Sequence, residues 1–289
     1  MSLKLLTLAS LSISGVQVYN ICNVGKGNKN LSYAPLLLEE EIRLQAKSLG
    51  VQNPQNLQVY ISRGIGAFAG GSPTLGSLFS CRYFIALPFT SGHSFIHHPH
   101  MYSAFVEGRH VDWESEEGLK ILEYLTPTKE HLKFTIGHEL AHLKFDDALL
   151  SCFVAPASAF ISLFLGGFIA QKLENKFFSG KRSLFGIRRI GIWSFSAIFV
   201  ISSYLKLSSI FSRAVELRAD TFASMIDDSV AQGGLEFLEK RKKLHELLLK
   251  DETFDRKCIR VVKEQFSTHP SIDSRISNIN KILKLKNQS

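Results

Sequence analysis

The sequence predicts an α+β fold that is mostly helical, contains a small sheet and is interrupted by a two-helix transmembrane hairpin. Three observations predict it: short strand-like segments in the first third of the chain, helical periodicity in most of the remainder, and two long apolar runs near the middle. A chain of 289 residues is long enough for one large domain or two small ones.

The first half of the chain begins this fold with helices and short strands. Residues 36–49 carry apolar side chains at helical spacing, and Gly50 ends that helix. Residues 57–62 alternate as a strand does, and residues 83–88 are a second strand. The glycine-rich segment 64–76 between the strands predicts turns around a short edge.

Three segments of this half leave alternatives open. Residues 66–69 are either a sheet edge that binds an extended peptide by strand addition or a loop, which is favoured. Residues 91–112 carry five histidines, and a surface loop is favoured over a second metal site because no carboxylate or cysteine spacing supports a cage. Residues 1–20 are a signal sequence, a membrane anchor, part of an organelle-targeting segment or an ordinary helix.

A histidine pair lies at the end of the first half. Residues 134–144 read F-T-I-G-H-E-L-A-H-L-K, with His138 and His142 one turn apart on one helix face. That spacing lets two imidazoles reach a single Zn²⁺, with Glu139 beside them as a general base. Residues 126–130 are a suitable helix start. The alternative is an amphipathic helix that carries two histidines by chance.

A second helical stretch, residues 212–223, supplies carboxylates at the same spacing. Zinc in a hydrolase takes three protein ligands and leaves one position open. Glu216 completes a His-His-Glu set, and Asp220, four residues later, is then placed to hold a ligand imidazole through its other N–H. The alternative is a solvated helix face in which both acids pair with Arg213 and Arg218.

The two apolar runs separate these stretches. Residues 148–171 contain no charge and are long enough to span a bilayer, and residues 190–205 are a second run. Six basic residues and one acid lie between them. We therefore expect a transmembrane hairpin with a basic loop over residues 148–211, which divides the domain into residues 30–147 and 212–289.

The hairpin explains how distant ligands meet. His142 lies six residues before Ala148, and Glu216 lies five residues after Phe211. If the helices continue unbroken, both ligand sets lie roughly 8–10 Å beyond the apolar boundary, on one side of the membrane. The positive-inside rule places the basic loop on the inner side, so the zinc site is expected on the opposite side. The C-terminal segment is also basic, which weakens this assignment.

The composition favours a membrane partner over a nucleic acid. The formal net charge is +8 and the pI is about 9.3, a balance typical of proteins that bind nucleic acids or membrane surfaces. The sequence has no nucleic-acid motif, and its apolar runs favour the lipid bilayer. The four cysteines are far apart and form no C-x-x-C motif, so neither a disulfide framework nor a cysteine zinc site is expected.

The order of motifs resembles a known family. H-E-L-A-H, two spanning segments, E-L-R-A-D and T-H-P-S-I-D-S-R-I together resemble the membrane gluzincin metallopeptidases of the HtpX and CAAX prenyl protease type, over roughly residues 57–280. The resemblance implies a zincin-like, membrane-embedded zinc metalloendopeptidase that hydrolyses peptide bonds of protein or peptide substrates at the membrane. It also implies that His269 and Arg275 serve the substrate cleft. Gly66 departs from the family pattern, in which an Asn often stands.

A second resemblance covers the middle of the chain. The segments at residues 110–113, 155–157 and 233–237 are similar to the transmembrane protein 177 family. That family is linked to assembly of cytochrome oxidase subunit II in the mitochondrial inner membrane, and its familiar animal members do not keep H-E-x-x-H. The resemblance implies an alternative: a non-catalytic assembly factor with membrane-protein partners. For either function, the expected location is the mitochondrial inner membrane or the inner membrane of a bacterium. A weaker third alternative is a membrane-surface binding module that uses the basic C-terminal helices.

Overall fold

A computed structural model of the chain describes residues 31–62, 66–79, 82–88, 90, 105–106, 109–178, 185–249 and 269–288. Within these ranges the strands are β1 (Leu31–Tyr33), β2 (Leu57–Ser62), β3 (Phe68–Gly70), β4 (Tyr83–Pro88), β5 (Phe105–Val106) and β6 (Arg109–His110). The helices are α1 (Leu36–Ser48), α2 (Pro73–Phe79), α3 (Glu116–Leu125), α4 (Lys129–Lys144), α5 (Asp147–Phe178), α6 (Phe185–Ile226), α7 (Asp228–Leu249) and α8 (Ile272–Lys286).

The predicted fold class is confirmed, since the described residues are mostly helical and include a small mixed sheet of four strands, with β5 and β6 pairing separately. That sheet has the order β1-β2-β4-β3. Strands β2 and β4 run parallel, with Leu57 opposite Tyr83, and β1 and β3 pair antiparallel on the outside. The segment predicted as a loop at residues 66–69 therefore contributes to an edge strand, because Ala69 pairs with Ile85 of β4.

Helix α4 forms the centre of the molecule and packs on both of its faces. Thr128 caps it, because its hydroxyl oxygen accepts from the backbone N–H of His131. In return, Nδ1 of His131 accepts from the backbone N–H of Thr128. One face places Leu140 in the core formed with α1, β2 and β4. The opposite face places Phe134 among the residues of α6, α7 and α8. Burial on both sides fixes the rotation of α4, and with it the direction of its histidines.

Helices α5 and α6 pack against each other and expose apolar side chains outward. Segments Asp147–Lys176 and Gly191–Ile226 are each long and apolar enough to cross a membrane. The inner face of α5 carries small residues, and a Cβ built on Gly166 would lie 2.2 Å from Val200 of α6. The outer faces expose large side chains such as Phe164 and Trp193. This distribution is typical of a pair of helices that face lipid.

The expectation of unbroken helices from the apolar runs to both ligand sets is wrong on one side. Helix α4 ends at Lys144, and Asp146 takes a left-handed conformation with φ of 51° before α5 begins. Helix α6, by contrast, runs without interruption through both the apolar run and the second predicted stretch. Helix α4, which carries H-E-x-x-H, can therefore lie at an angle to the hairpin formed by α5 and α6. The third predicted ligand, Glu216, is part of α6 itself.

Several predictions fall outside the described residues. These are the N-terminal segment 1–20, the histidines between residues 91 and 100, and the centre of the basic loop at residues 179–184. Cys152 is described; it is buried and forms no disulfide with another described residue.

Candidate metal centre

Three side chains from two helices converge on one point. His138 and His142 come from α4 and Glu216 comes from α6, and one donor atom of each lies within 4.8 Å of the others. The two Nε2 atoms are 3.2 Å apart. The carboxylate of Glu216 lies 3.4 Å from Nε2 of His138 and 3.9 Å from Nε2 of His142. The structure thus brings together the three residues that the sequence predicts as ligands.

These separations fit a zinc ion. In a tetrahedral site with bonds of about 2.0–2.1 Å, neighbouring donor atoms lie about 3.3 Å apart. Two imidazole nitrogens and one carboxylate oxygen are also the donor chemistry of a three-ligand hydrolytic site with a free fourth position. The geometry and the donor set therefore both suit Zn²⁺.

A buried acid orients the first histidine. Oδ1 of Asp220 lies 2.9 Å from Nδ1 of His138, and Asp220 is completely buried. A carboxylate at Nδ1 holds the N–H there, which leaves the lone pair of Nε2 directed at the metal position. The arrangement differs from the predicted alternative of a solvated helix face, since Asp220 contacts His138 and lies away from solvent.

A bidentate partner holds that acid in place. The guanidinium group of Arg275, from α8, donates to both oxygens of Asp220. Burial by itself would raise the pKa of Asp220, but the hydrogen bonds from Arg275 and His138 outweigh it and lower that pKa. Arg275 lines the cleft, as the family resemblance implies, and it also supports the orientation of a ligand.

A second acid, which sequence reasoning missed, contacts the other histidine. Oδ2 of Asp147 lies 2.8 Å from Nδ1 of His142, and Oδ1 accepts from Arg218 of α6. The signal was available in the sequence as an acid immediately before the apolar run, five residues after His142. Asp147 reaches His142 only because the chain turns at Asp146 and returns towards the histidine.

Glu139 lies beside the ligands and is buried, with 7% of its surface exposed. Burial raises its pKa, and the negative charge of Glu216 acts in the same direction. The backbone of Ala69 in β3 faces this carboxylate and acts on its pKa in the opposite direction. The group predicted as a general base thus lies between the donor atoms and the edge strand.

A sequence model of peptidase family M48 matches residues 36–283. The chain belongs to peptidase family M48. The match includes all seven residues predicted for the site, and its family description agrees with a metallopeptidase fold.

Two curated relatives of this M48 chain are vertebrate membrane proteins by name. Transmembrane protein 177 of Xenopus laevis is 23% identical over 135 residues, and Transmembrane protein 177 of Danio rerio is 25% identical over 138 residues. Each match covers 47% of this chain and 42% of the relative. The chain therefore matches less than half the length of these relatives. Their names and the two apolar helices together indicate a membrane protein.

His269 lies at the open side of the M48 site. Its Nδ1 is 3.1 Å from Oε1 of Glu216, and most of its side chain is exposed. The hydrogen bond to Glu216 raises the pKa of His269. Burial by itself would raise the pKa of Glu216, but hydrogen bonds from His138 and His269 lower it, so that it stays an anion.

The site opens into a cleft of about 680 Å³. Its walls come from four parts of the M48 domain: β3 and the glycines around it, helix α4, the start of α5 with residues 208–216 of α6, and the facing parts of α7 and α8. Ser151 and Phe211 line it from the hairpin, and Phe237 and Arg241 line it from α7. The cleft therefore extends from the metal position to the edge strand β3 on one side and to the apolar helices, near Ser151 and Phe211, on the other.

Proposed function

We propose that this chain is a membrane-embedded, zinc-dependent metalloendopeptidase that hydrolyses peptide bonds of protein substrates at or near the membrane. The observation that carries the proposal is the meeting of His138, His142 and Glu216 within 4.8 Å, next to the carboxylate of Glu139. In this proposal the first three residues hold Zn²⁺. When bound, the ion supplies a Lewis acid that polarises a peptide carbonyl and acidifies water.

The protein's own part of the chemistry falls to Glu139. Its carboxylate takes a proton from the attacking water as the C–O bond forms, and it then passes that proton to the leaving amine as the C–N bond breaks. Its buried position beside the ligand histidines supports this role, because the proton is taken up and given back at the same point. Asp220 and Asp147 keep Nε2 of each histidine directed at the metal.

The edge strand supports an extended peptide as the substrate. Residues of β3 pair with β4 on one side, and the backbone of Ala69 faces Glu139 on the other. In an antiparallel pair the N–H and C=O of such a residue point the same way. An incoming strand can therefore add beside β3, with its scissile bond near Glu139.

The cleft's position supports cleavage close to a lipid surface. Ser151 of α5 and Phe211 of α6 line the cleft, so the catalytic groups lie next to the start of α5 and to the C-terminal end of the apolar run in α6. We infer an integral protein of the mitochondrial or bacterial inner membrane. Its zinc site is proposed to lie on the side opposite the basic loop.

The competing function is a non-catalytic assembly factor that keeps a metallopeptidase fold. The matches to Transmembrane protein 177 favour it. The presence of Glu139 argues against it, since a scaffold has no chemical need for a buried base at this position.

Zinc analysis of detergent-purified protein separates these functions. The wild type is expected to contain about one zinc per chain, and His142→Ala and Glu216→Ala are expected to lose it. The same wild-type protein should cleave an unfolded protein such as casein, and a chelator should stop the cleavage. A wild type that carries no zinc, or that carries zinc and cleaves nothing, would favour the assembly factor.

A further inference from the structure

We propose that Asp147 is a positioning residue that couples the direction of the His142 imidazole to the packing of the two apolar helices. The inference rests on the proposed metal site and adds to it the element that controls one of its ligands. Oδ2 of Asp147 contacts Nδ1 of His142 and not the Nε2 that faces the metal position, so Asp147 acts on the metal site through His142.

A single carboxylate joins three helices at this point. Asp147 is the first residue of α5, and its side chain is 10% exposed. Its two oxygens face different elements: Oδ2 faces Nδ1 of His142 on α4, and Oδ1 accepts from Arg218 on α6. The metal ligand, the start of the first apolar helix and the end of the second are therefore linked through one side chain.

Arg218 itself lies over an aromatic ring. Its guanidinium carbon lies 4.4 Å from the ring centre of Phe145, which belongs to the turn between α4 and α5. Phe145 in turn meets Phe222 of α6 edge to face, at 5.6 Å between ring centres. The stacking fixes Arg218 against the turn, so that its N–H groups stay directed at Asp147.

The two histidines have similar partners, but those partners lie on different helices. Each has an acid at Nδ1 and each acid has an arginine, which gives the pairs Asp220–Arg275 and Asp147–Arg218. The first pair joins α6 to α8. The second pair joins the first residue of α5 to α6, so a change in how these two helices pack acts on His142 through Asp147.

The neighbouring aspartate provides a matched control. Oδ2 of Asp146 accepts from Ser72 and from the backbone N–H of Thr74, at the start of α2. Its described contacts are with that segment and not with a histidine. Asp146 and Asp147 thus have the same charge and adjacent positions, but they contact different parts of the molecule.

The test is the metal site of Asp147→Asn, measured with Zn²⁺ and with Co²⁺ in detergent-purified protein. We expect zinc affinity to fall about 10- to 100-fold, as measured by competition with a chelator. The visible absorption of bound Co²⁺ should change, because the coordination of His142 is altered, while the circular dichroism stays that of the wild type. Asp146→Asn should leave both the affinity and the Co²⁺ spectrum unchanged, even if it lowers the melting temperature.

A second variant reports on the link to the hairpin. Arg218→Met should shift the Co²⁺ spectrum in the same direction as Asp147→Asn. The double variant should be no weaker in zinc binding than Asp147→Asn alone, because both changes act through His142. An Asp147→Asn protein with wild-type affinity and spectrum would overturn the proposal, and so would additive losses in the double variant. A wild type that binds neither metal would instead overturn the proposed function, and this inference with it.

Discussion

Arg275 holds both carboxylate oxygens of Asp220, with Nη2 at 2.6 Å from Oδ1 and Nε at 2.7 Å from Oδ2. The same Oδ1 lies 2.9 Å from Nδ1 of His138. The last described helix is therefore connected to the first predicted metal ligand through one buried acid. The C-terminal segment is part of the candidate site and not an appendage to it.

Replacing Arg275 with methionine should strongly destabilise the fold. The change leaves the carboxylate of Asp220 buried without its cationic partner, which typically costs about 3–5 kcal/mol. Chemical denaturation in detergent micelles measures the loss. Lys242→Met is the control, because it breaks an exposed ion pair with Asp273 of the same helix, and should cost less than about 1 kcal/mol. Equal losses in the two variants would contradict the structural role given to Arg275.

Replacing Glu139 with glutamine should abolish cleavage and leave zinc bound. The amide keeps the size of the side chain but cannot take the proton of the attacking water, and general bases contribute about 10²- to 10⁴-fold to rate. Cleavage of casein and zinc content are measured on the same preparation. Glu246→Gln, on an exposed position of α7, should cleave like the wild type. A Glu139→Gln protein that still cleaves would refute the proposed mechanism.

Replacing Gly234 with alanine should destabilise the contact between α4 and α7. A Cβ at this position would lie 2.4 Å from Cδ2 of Phe134, whose ring fills the space between the helices. Such overpacking costs about 1–3 kcal/mol and exceeds the gain of about 1 kcal/mol from helix propensity. Gly191→Ala, where a Cβ would meet no atom within 4 Å, should not be destabilised. Thermal unfolding of both variants in micelles shows whether each substitution lowers or raises the melting temperature.

Two adjacent glycines test the packing of the hairpin. Gly166 faces Val200 of α6 at a distance that leaves no room for a Cβ, whereas Gly167 faces open space. Gly166→Leu should lower the free energy of unfolding by roughly 1–3 kcal/mol. Gly167→Leu should change it by less than about 0.5 kcal/mol, since a leucine there extends the apolar outer face. If the two variants unfold alike, the helices do not meet along this face.

Tyr83 should make the fold sensitive to alkali. Burial raises its pKa to about 12, and its hydroxyl donates to the backbone carbonyls of Gln52 and Asn53. In the unfolded chain a tyrosine ionises near pH 10, so its stabilisation is complete below pH 10 and is lost as the pH rises towards 12. The stability advantage of the wild type over Tyr83→Phe should therefore shrink between pH 10 and 12. An advantage that stays constant over this range would contradict the buried hydroxyl.

The sequence predicted the parts of the site that lie within single helices. His138 and His142 share one face because four residues make about one turn, and the same holds for Glu216 and Asp220. The start of α4 was also predicted to lie within residues 126–130, since the capping residues adjoin the helix that they stabilise, and Thr128 is the cap.

Features that depend on long-range contacts were missed. Asp147 meets His142 only because Asp146 turns the chain in a left-handed conformation, and a run of good helix formers gives no sign of that turn. The edge strand β3 was predicted as a loop because its three residues are ordered by pairing with β4 and not by their own propensity. Arg218 was considered as a partner for Glu216 or Asp220, but it pairs with Asp147.

The uninterrupted course of α6 gives the third ligand a mechanical link to the bilayer. The helix has 42 residues and is therefore about 63 Å long. A change in tilt of about 5° about the middle of its apolar run moves Glu216 by roughly 2 Å, which is comparable with the length of one bond to zinc. Because spanning helices tilt to match the hydrocarbon thickness, the same chain is expected to hold its metal differently in thin and in thick membranes.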